Sequence, residues 1–326
     1  MRNIRTDLAI ESHALLMETA QELIGAELTD SWEDDIKTTR VKITSKDAAA
    51  ELKKPVGTYV TLELTDLRYM SNAFYESACR QIAREIKTML KPVSKKKQPI
   101  LIIGLGNRSI TSDALGPAVI DRLMITRHLF SYAPESVSEN LGSVCAIAPG
   151  VLGLTGIETE EIIRGIAEKV NPCAIICVDA LAARSIDRIT KTIQICDTGI
   201  NPGSGIGNNR KEISQKTLGI PVLAIGVPTV VDAATITDDT LNLVIDSLLR
   251  AENEHNSAFF NMLKNLDRDE RFALIQTSVS KEMPNLLTTP KEIDIFIDKA
   301  AEIVANGINF ALHENISFTD IQQYVS

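Results

Sequence analysis

Five stretches of this chain are apolar almost without interruption: ILIIGLG (100–106), SVCAIAPG (143–150), CAIICVD (173–179), TIQICD (192–197) and VLAIGVP (222–228). Segments with helical spacing separate most of them. A strand that is apolar on both sides must be covered on both faces, as in a parallel sheet flanked by helices. The expectation is a doubly wound, mostly parallel α/β core over roughly 100–250. Apolar residues make up 44% of the chain and aromatics only 4%, so Val, Ile, Leu and Ala must fill that core.

The flanks read differently. Residues 8–24 and 71–90 carry helical stripes, the second through Phe74, Ala78, Ile82, Ile86 and Leu90. Residues 39–45 and 57–66 alternate like half-exposed strands peripheral to the core. KPVSKKKQP (91–99) reads as a linker, and its lysine run as a solvated turn. The part from 250 to 326 is helical and charged. Within it, Thr289 is placed to cap a helix, with Pro290 in the first turn and Glu292 as the acid of a capping box. Residues 8–326 are read as one domain.

Composition narrows the function. The net charge of −9 repels phosphate backbones, so direct nucleic-acid binding is not expected. No run reaches about 18 apolar residues, and the N-terminus lacks the apolar stretch of a signal peptide. The chain reads as cytoplasmic. The five cysteines (Cys79, Cys145, Cys173, Cys177, Cys196) read as free thiols, three of them inside strand-like runs.

In an open α/β sheet, ligands bind beyond the carboxyl ends of the strands. Four carboxylates follow strands there: Asp113, Asp179, Asp197 and Asp232. No histidine falls in these loops. Two carboxylates held close cannot both ionise cheaply, so one keeps a proton while the other stays charged. Such a pair can deprotonate a water and protonate a leaving amine. The same groups could instead hold Mg²⁺ or Mn²⁺, and each has a plainer use. Asp113 and Asp179 could each cap a following helix, and Asp197 could merely begin a loop. The glycine-rich stretches at 150–156 and 203–207 offer main-chain N–H groups, with Gly153, Gly156, Gly203 and Gly205 as candidate oxyanion or substrate contacts. Arg184, Arg210 and Lys211 are candidate basic contacts for an acidic substrate residue.

Taken together, GLGN…TSDALGP, TRHLF, APGVLGLTGIET, VDALAARS, QICDTGINPGSGIGNNRKEIS and LGIPVLAIGVPTVVDAATI closely resemble the germination protease family of spore-forming bacteria. The likeness runs from residue 3 to about 315. It implies an aspartic-type endopeptidase, without a cofactor, that cuts the small acid-soluble proteins of the spore core early in germination. It also implies a homotetramer and a core of the hydrogenase-maturation peptidase type, related to phosphorylase-like folds. The two catalytic aspartates of the family fall on Asp113 and Asp179. The family is made as a zymogen that cuts itself at a site resembling Thr-Glu↓(large apolar)-Ala-x-Glu. Here Thr6-Asp7-Leu8-Ala9-Ile10-Glu11 matches with Asp for the first Glu, which places self-cleavage between Asp7 and Leu8 and makes residues 1–7 a short pro-segment. Three other readings remain: a metal-dependent peptidase of the hydrogenase-maturation kind, a peptidyl-tRNA hydrolase, and a non-enzymatic module binding a small anion at its glycine-rich loops.

Overall fold

A computed structural model describes residues 6–17, 24–65, 67–91, 98–203, 210–250, 268–282 and 286–325. Its centre is one nine-stranded sheet in the order β1-β2-β3-β7-β8-β6-β4-β5, with a short β9 beside β8. The apolar runs supply β4 (Ile100–Gly104), β5 (Val144–Ile147), β6 (Ala174–Ala183), β7 (Thr192–Cys196) and β8 (Val222–Asp232). β5, β4, β6 and β8 lie parallel, as expected of them.

The sheet is nonetheless mixed, not mostly parallel. β7 runs antiparallel between β3 and β8. Nor are the N-terminal strands peripheral. β1 (Ala26–Glu33), β2 (Ile36–Ile43) and β3 (Gly57–Glu63) form an antiparallel meander that continues the same sheet. β3 shows why: Tyr59, Val60, Thr61 and Leu62 are all buried, so its alternation conceals a strand covered on both faces.

Helices cover both faces. α3 (Asn72–Leu90) begins at Ser71, whose hydroxyl accepts from the Phe74 N–H, and its stripe Ala78, Ile82, Ile86, Leu90 faces the sheet. The helix Ile293–Leu312 and the short α4 (Leu115–Ile120) join it over Ile102, Ile176, Val178 and Ile225. On the opposite face, α1 (Ala9–Met17) and α2 (Lys46–Leu52) lie over β2 and β3, and the helix Thr159–Val170 lies over β4 and β6. (α2 precedes α3 in the chain, and its N-cap is Ser45.)

The capping box at Thr289 does not form. β9 (Leu287–Thr288) pairs with the end of β8, the Thr289 hydroxyl donates to the Thr229 carbonyl at 2.8 Å, and the helix starts only at Ile293. Most of the linker, 92–97, lies outside the described residues, as does 18–23 of the first helical stripe. Among the described residues no helix is long and apolar enough to cross a membrane.

Candidate active site

Asp179 stands inside β6, not at a helix start. β6 runs on through Ala183 because β8 pairs it along its whole length, so Ala-Leu-Ala-Ala is extended despite its helical propensity. Asp179 is 6% exposed, and its Oδ1 accepts from the Ala180 N–H at 2.9 Å. Asp113 arrives from the neighbouring strand. β4 pairs β6 up to Gly104 opposite Val178, then the chain leaves the sheet and returns in a 3₁₀ turn, Thr111–Asp113. Asp113 does not cap α4. Its Oδ2 accepts from the Asn107 N–H at 2.8 Å, while Thr229 of β8 donates its hydroxyl to the Ser112 carbonyl at 2.7 Å and fixes the turn. Gly106 makes the turn possible. Its φ is +110°, and a Cβ there would run into the Asp113 carbonyl oxygen.

Both carboxylates open into one cavity of about 420 Å³, which Asp7 also lines. Burial pushes the Asp179 carboxyl well above the usual carboxylate range, and the nearby charges of Asp113 and Asp7 push it further. Burial also raises Asp113, against the opposing pull of the Asn107 N–H. The environment thus favours the protonated form of both acids, one deep and one half-buried.

The N-terminal segment lies across this cavity. The Asp7 N–H donates to the Ala182 carbonyl at 3.0 Å, and the Ala182 N–H donates to Asp7 Oδ2 at 2.9 Å, on β6 beyond its last pairing with β4. The Asp7 carbonyl oxygen accepts from Lys54 Nζ at 2.9 Å and from Gln194 Nε2 at 3.2 Å. Gln194 Oε1 accepts from the Ala9 N–H at 2.7 Å. Leu8 is fully buried among Leu181, Ala183, Ile189 and Val231, and Ala9 is buried among Val41, Ile43 and Tyr59. Glu11 accepts from the Arg184 and Ser185 N–H groups at 2.7 and 3.0 Å, and also from the Thr6 hydroxyl. Each residue from Thr6 to Glu11 except Ile10, which is simply buried beside Leu8, therefore makes a specific polar or packing contact with the body.

The remaining candidates separate. Gly153 and Gly203 line the cavity with the two acids, as does Arg210. Gly156 does not: it is the left-handed end of the short helix Leu152–Thr155. Gly205 lies outside the described residues. Arg184 turns away, its Nη2 3.4 Å from Asp239, and faces another hollow beside Glu63. Lys211 is exposed and pairs with Glu161 at 2.6 Å. Asp197 and Asp232 do not join the crevice. β7 is antiparallel, which carries Asp197 toward the other end, where its Oδ1 accepts from the Thr58 N–H at 2.8 Å. Asp232 accepts from the Ala234 N–H at 2.8 Å at a helix start. Among the described residues no three His, Cys, Asp or Glu side chains group as a metal ligand set, and the five cysteines are free.

Two residues that hold Asp7 escaped sequence reasoning; they line an adjoining hollow, which shares Asp7 and Asp179 with the cavity of the two acids. Lys54 follows α2, where Lys53 takes the left-handed cap conformation and turns the chain, so that Lys54 reaches under residues 6–7. As Lys-Lys-Pro after a helix it reads as surface charge. Burial lowers the Lys54 ammonium below the usual lysine range, against the opposing pull of Asp7. Gln194 did leave a signal, being the one carboxamide in an otherwise apolar central strand.

A sequence model of the family described as germination protease matches residues 5–258 and 246–325. A germination protease of Clostridium tetani is 42% identical over 325 residues, 99% of this chain and all of the relative. One of Clostridium acetobutylicum is 43% identical over 328 residues, all of both chains. One of Bacillus cereus is 43% identical over 348 aligned residues, 96% of this chain and 95% of the relative.

Proposed function

The chain belongs to the germination protease family, and from that premise we propose that it is an aspartic-type endopeptidase, made as a zymogen, that opens the degradation of small acid-soluble spore proteins. The family makes it a peptidase, a hydrolase acting on protein. The catalytic pair is Asp113 and Asp179. The observation that carries this reading is their shared cavity, in which burial, and at Asp179 the charge of Asp113 as well, favours holding a proton.

The chemistry follows from that proton. The charged carboxylate takes a proton from water as the water oxygen bonds to the scissile carbonyl carbon. When the tetrahedral intermediate collapses, the C–N bond breaks and the pair returns one proton to the leaving nitrogen. The pair ends with the one proton it began with. No covalent enzyme intermediate forms.

The first substrate is the chain itself, cut between Asp7 and Leu8. The contacts of Thr6, Asp7, Leu8, Ala9 and Glu11 support this, because they hold the segment against the body while Asp7 lines the cavity of the two acids. Acidic character before the cut is met by the Ala182 N–H on Asp7 Oδ2. Four copies form the working assembly. The exposed Leu28 and Trp32 of edge strand β1 support an interface there.

The test is incubation of the protein with a purified small acid-soluble spore protein and mass spectrometry of the fragments. Cuts after acidic residues, lost in Asp113→Asn, are the expected result. An undigested substrate, or equal cutting by the Asp113→Asn chain, would overturn the reading.

A further inference from the structure

Resting on the cut after Asp7, we propose that the Lys54 ammonium and the Gln194 carboxamide form the oxyanion site of this peptidase, in place of main-chain N–H groups from the glycine-rich loops. Both donate to one oxygen, the carbonyl of Asp7, at 2.9 and 3.2 Å. They come from different elements, the turn after α2 and the centre of β7.

Gln194 grips both sides of the bond to be cut. Its Nε2 holds the carbonyl before the bond, and its Oε1 takes the Ala9 N–H one residue beyond the leaving nitrogen, at 2.7 Å. That second contact fixes which end of the carboxamide meets the carbonyl. Sheet register then sets Gln194 relative to the acids. Gln194 pairs with Gly226, and Gly226 pairs with Asp179, so Gln194 and Asp179 point to the same face two strands apart, about 10 Å at the usual spacing. The residue between them has no side chain. The Leu181 side chain packs over that glycine, and Asp7 spans the divide, lining the hollow of Lys54 and Gln194 as well as the cavity of the two acids.

Lys54 supplies the discrimination. Its hydrogen-bond acceptors are two neutral carbonyls, Thr6 O at 3.2 Å and Asp7 O at 2.9 Å. When water adds to the Asp7 carbonyl carbon, the C=O electron pair moves onto the oxygen, and the ammonium then faces a full negative charge at hydrogen-bond distance. An interaction that strengthens as charge develops lowers the barrier rather than merely holding the substrate. On collapse the pair re-forms C=O as the C–N bond breaks and the dyad protonates the Leu8 nitrogen. No charge or proton need leave Lys54.

The experiment follows self-cleavage of the full chain by intact-mass spectrometry in wild type, Lys54→Met and Gln194→Leu. Cleavage between Asp7 and Leu8 is expected to slow by ~10²-fold or more in each variant. A lysine that only anchored the segment would give a similar loss, so hydrogen exchange over residues 6–12 is measured in an Asp113→Asn background, with and without Lys54→Met. Protection is expected to persist, because Glu11, Ala182 and the Leu8 pocket still hold the segment. Wild-type cutting with unslowed variants would overturn the oxyanion site alone, as would loss of cutting together with loss of protection. No cut after Asp7 in the wild type would overturn the underlying reading as well. Because the two variants sit on separate elements, misfolding of one, seen as a collapsed Tm, leaves the other to decide.

Discussion

Asp179 costs the fold stability at neutral pH. Its folded-state pKa is raised by burial and by the charges of Asp113 and Asp7, so the native chain binds this proton more tightly than the unfolded chain. Stability then falls as pH climbs from the ordinary aspartate value of about 3.9 through the raised one. Below that window the penalty vanishes, because both states are protonated. Asp113 acts in the same direction. Asp179→Asn keeps an acceptor for the Ala180 N–H and removes the buried charge. Thermal unfolding at pH 7 is therefore expected to show a higher Tm for Asp179→Asn than for wild type, with the difference closing near pH 3. A lower Tm at pH 7 would mean the carboxylate is stabilised by contacts that Asn cannot make. The same variant should lose cleavage by ~10⁴-fold, as removal of one member of a catalytic set does. A gain in stability paired with a loss of activity marks a residue kept for chemistry rather than for the fold.

At the scale of elements, the site depends on β6, β8 and β7 lying in one register. Gly226 is the middle of the row Asp179–Gly226–Gln194, and a Cβ there would run into the side chain of Leu181, which lines the cavity. Gly226→Ala should cost about 1–3 kcal/mol in urea unfolding, the usual price of overpacking, and should slow cleavage by displacing Leu181 from its place beside Leu8. Unchanged stability and rate would show that Leu181 has room to move. The sequence made the apolar strands and α3 legible because their patterns are unambiguous. It misled where tertiary pairing overrides local preference. Ala180–Ala183 has helical composition but is held extended by β8. The burial of β1 does not alternate, because it is an exposed edge whose partner is β2 alone. β7 reads like its neighbours, since apolar content does not encode direction. That direction removes Asp197 from the crevice and brings Gln194 to the Asp7 carbonyl.

For the molecule as a whole, Asp7, close to the start of the chain, lines the cavity of the two acids and bonds to Ala182 of β6. The two acids were legible as carboxylates at or after the ends of apolar runs, whereas their convergence needed the turn at Gly106 and the pairing of β4 with β6. Lys54 was not legible, because its role comes from a helix-end reversal that carries a surface-type residue inward. The exposed Trp32 of β1 belongs at this scale too. Light scattering is expected to give four times the 35.7 kDa of the chain and a smaller species for Trp32→Glu, while a monomeric wild type would remove the proposed assembly. The central claim is that Asp113 and Asp179 together cleave the peptide bond seated beside them, and N-terminal sequencing of the purified full chain after incubation tests it most directly. Wild type is expected to begin at Leu8, and Asp113→Asn to retain residues 1–7. A wild-type chain still carrying those residues, or an Asp113→Asn chain that begins at Leu8, would contradict it.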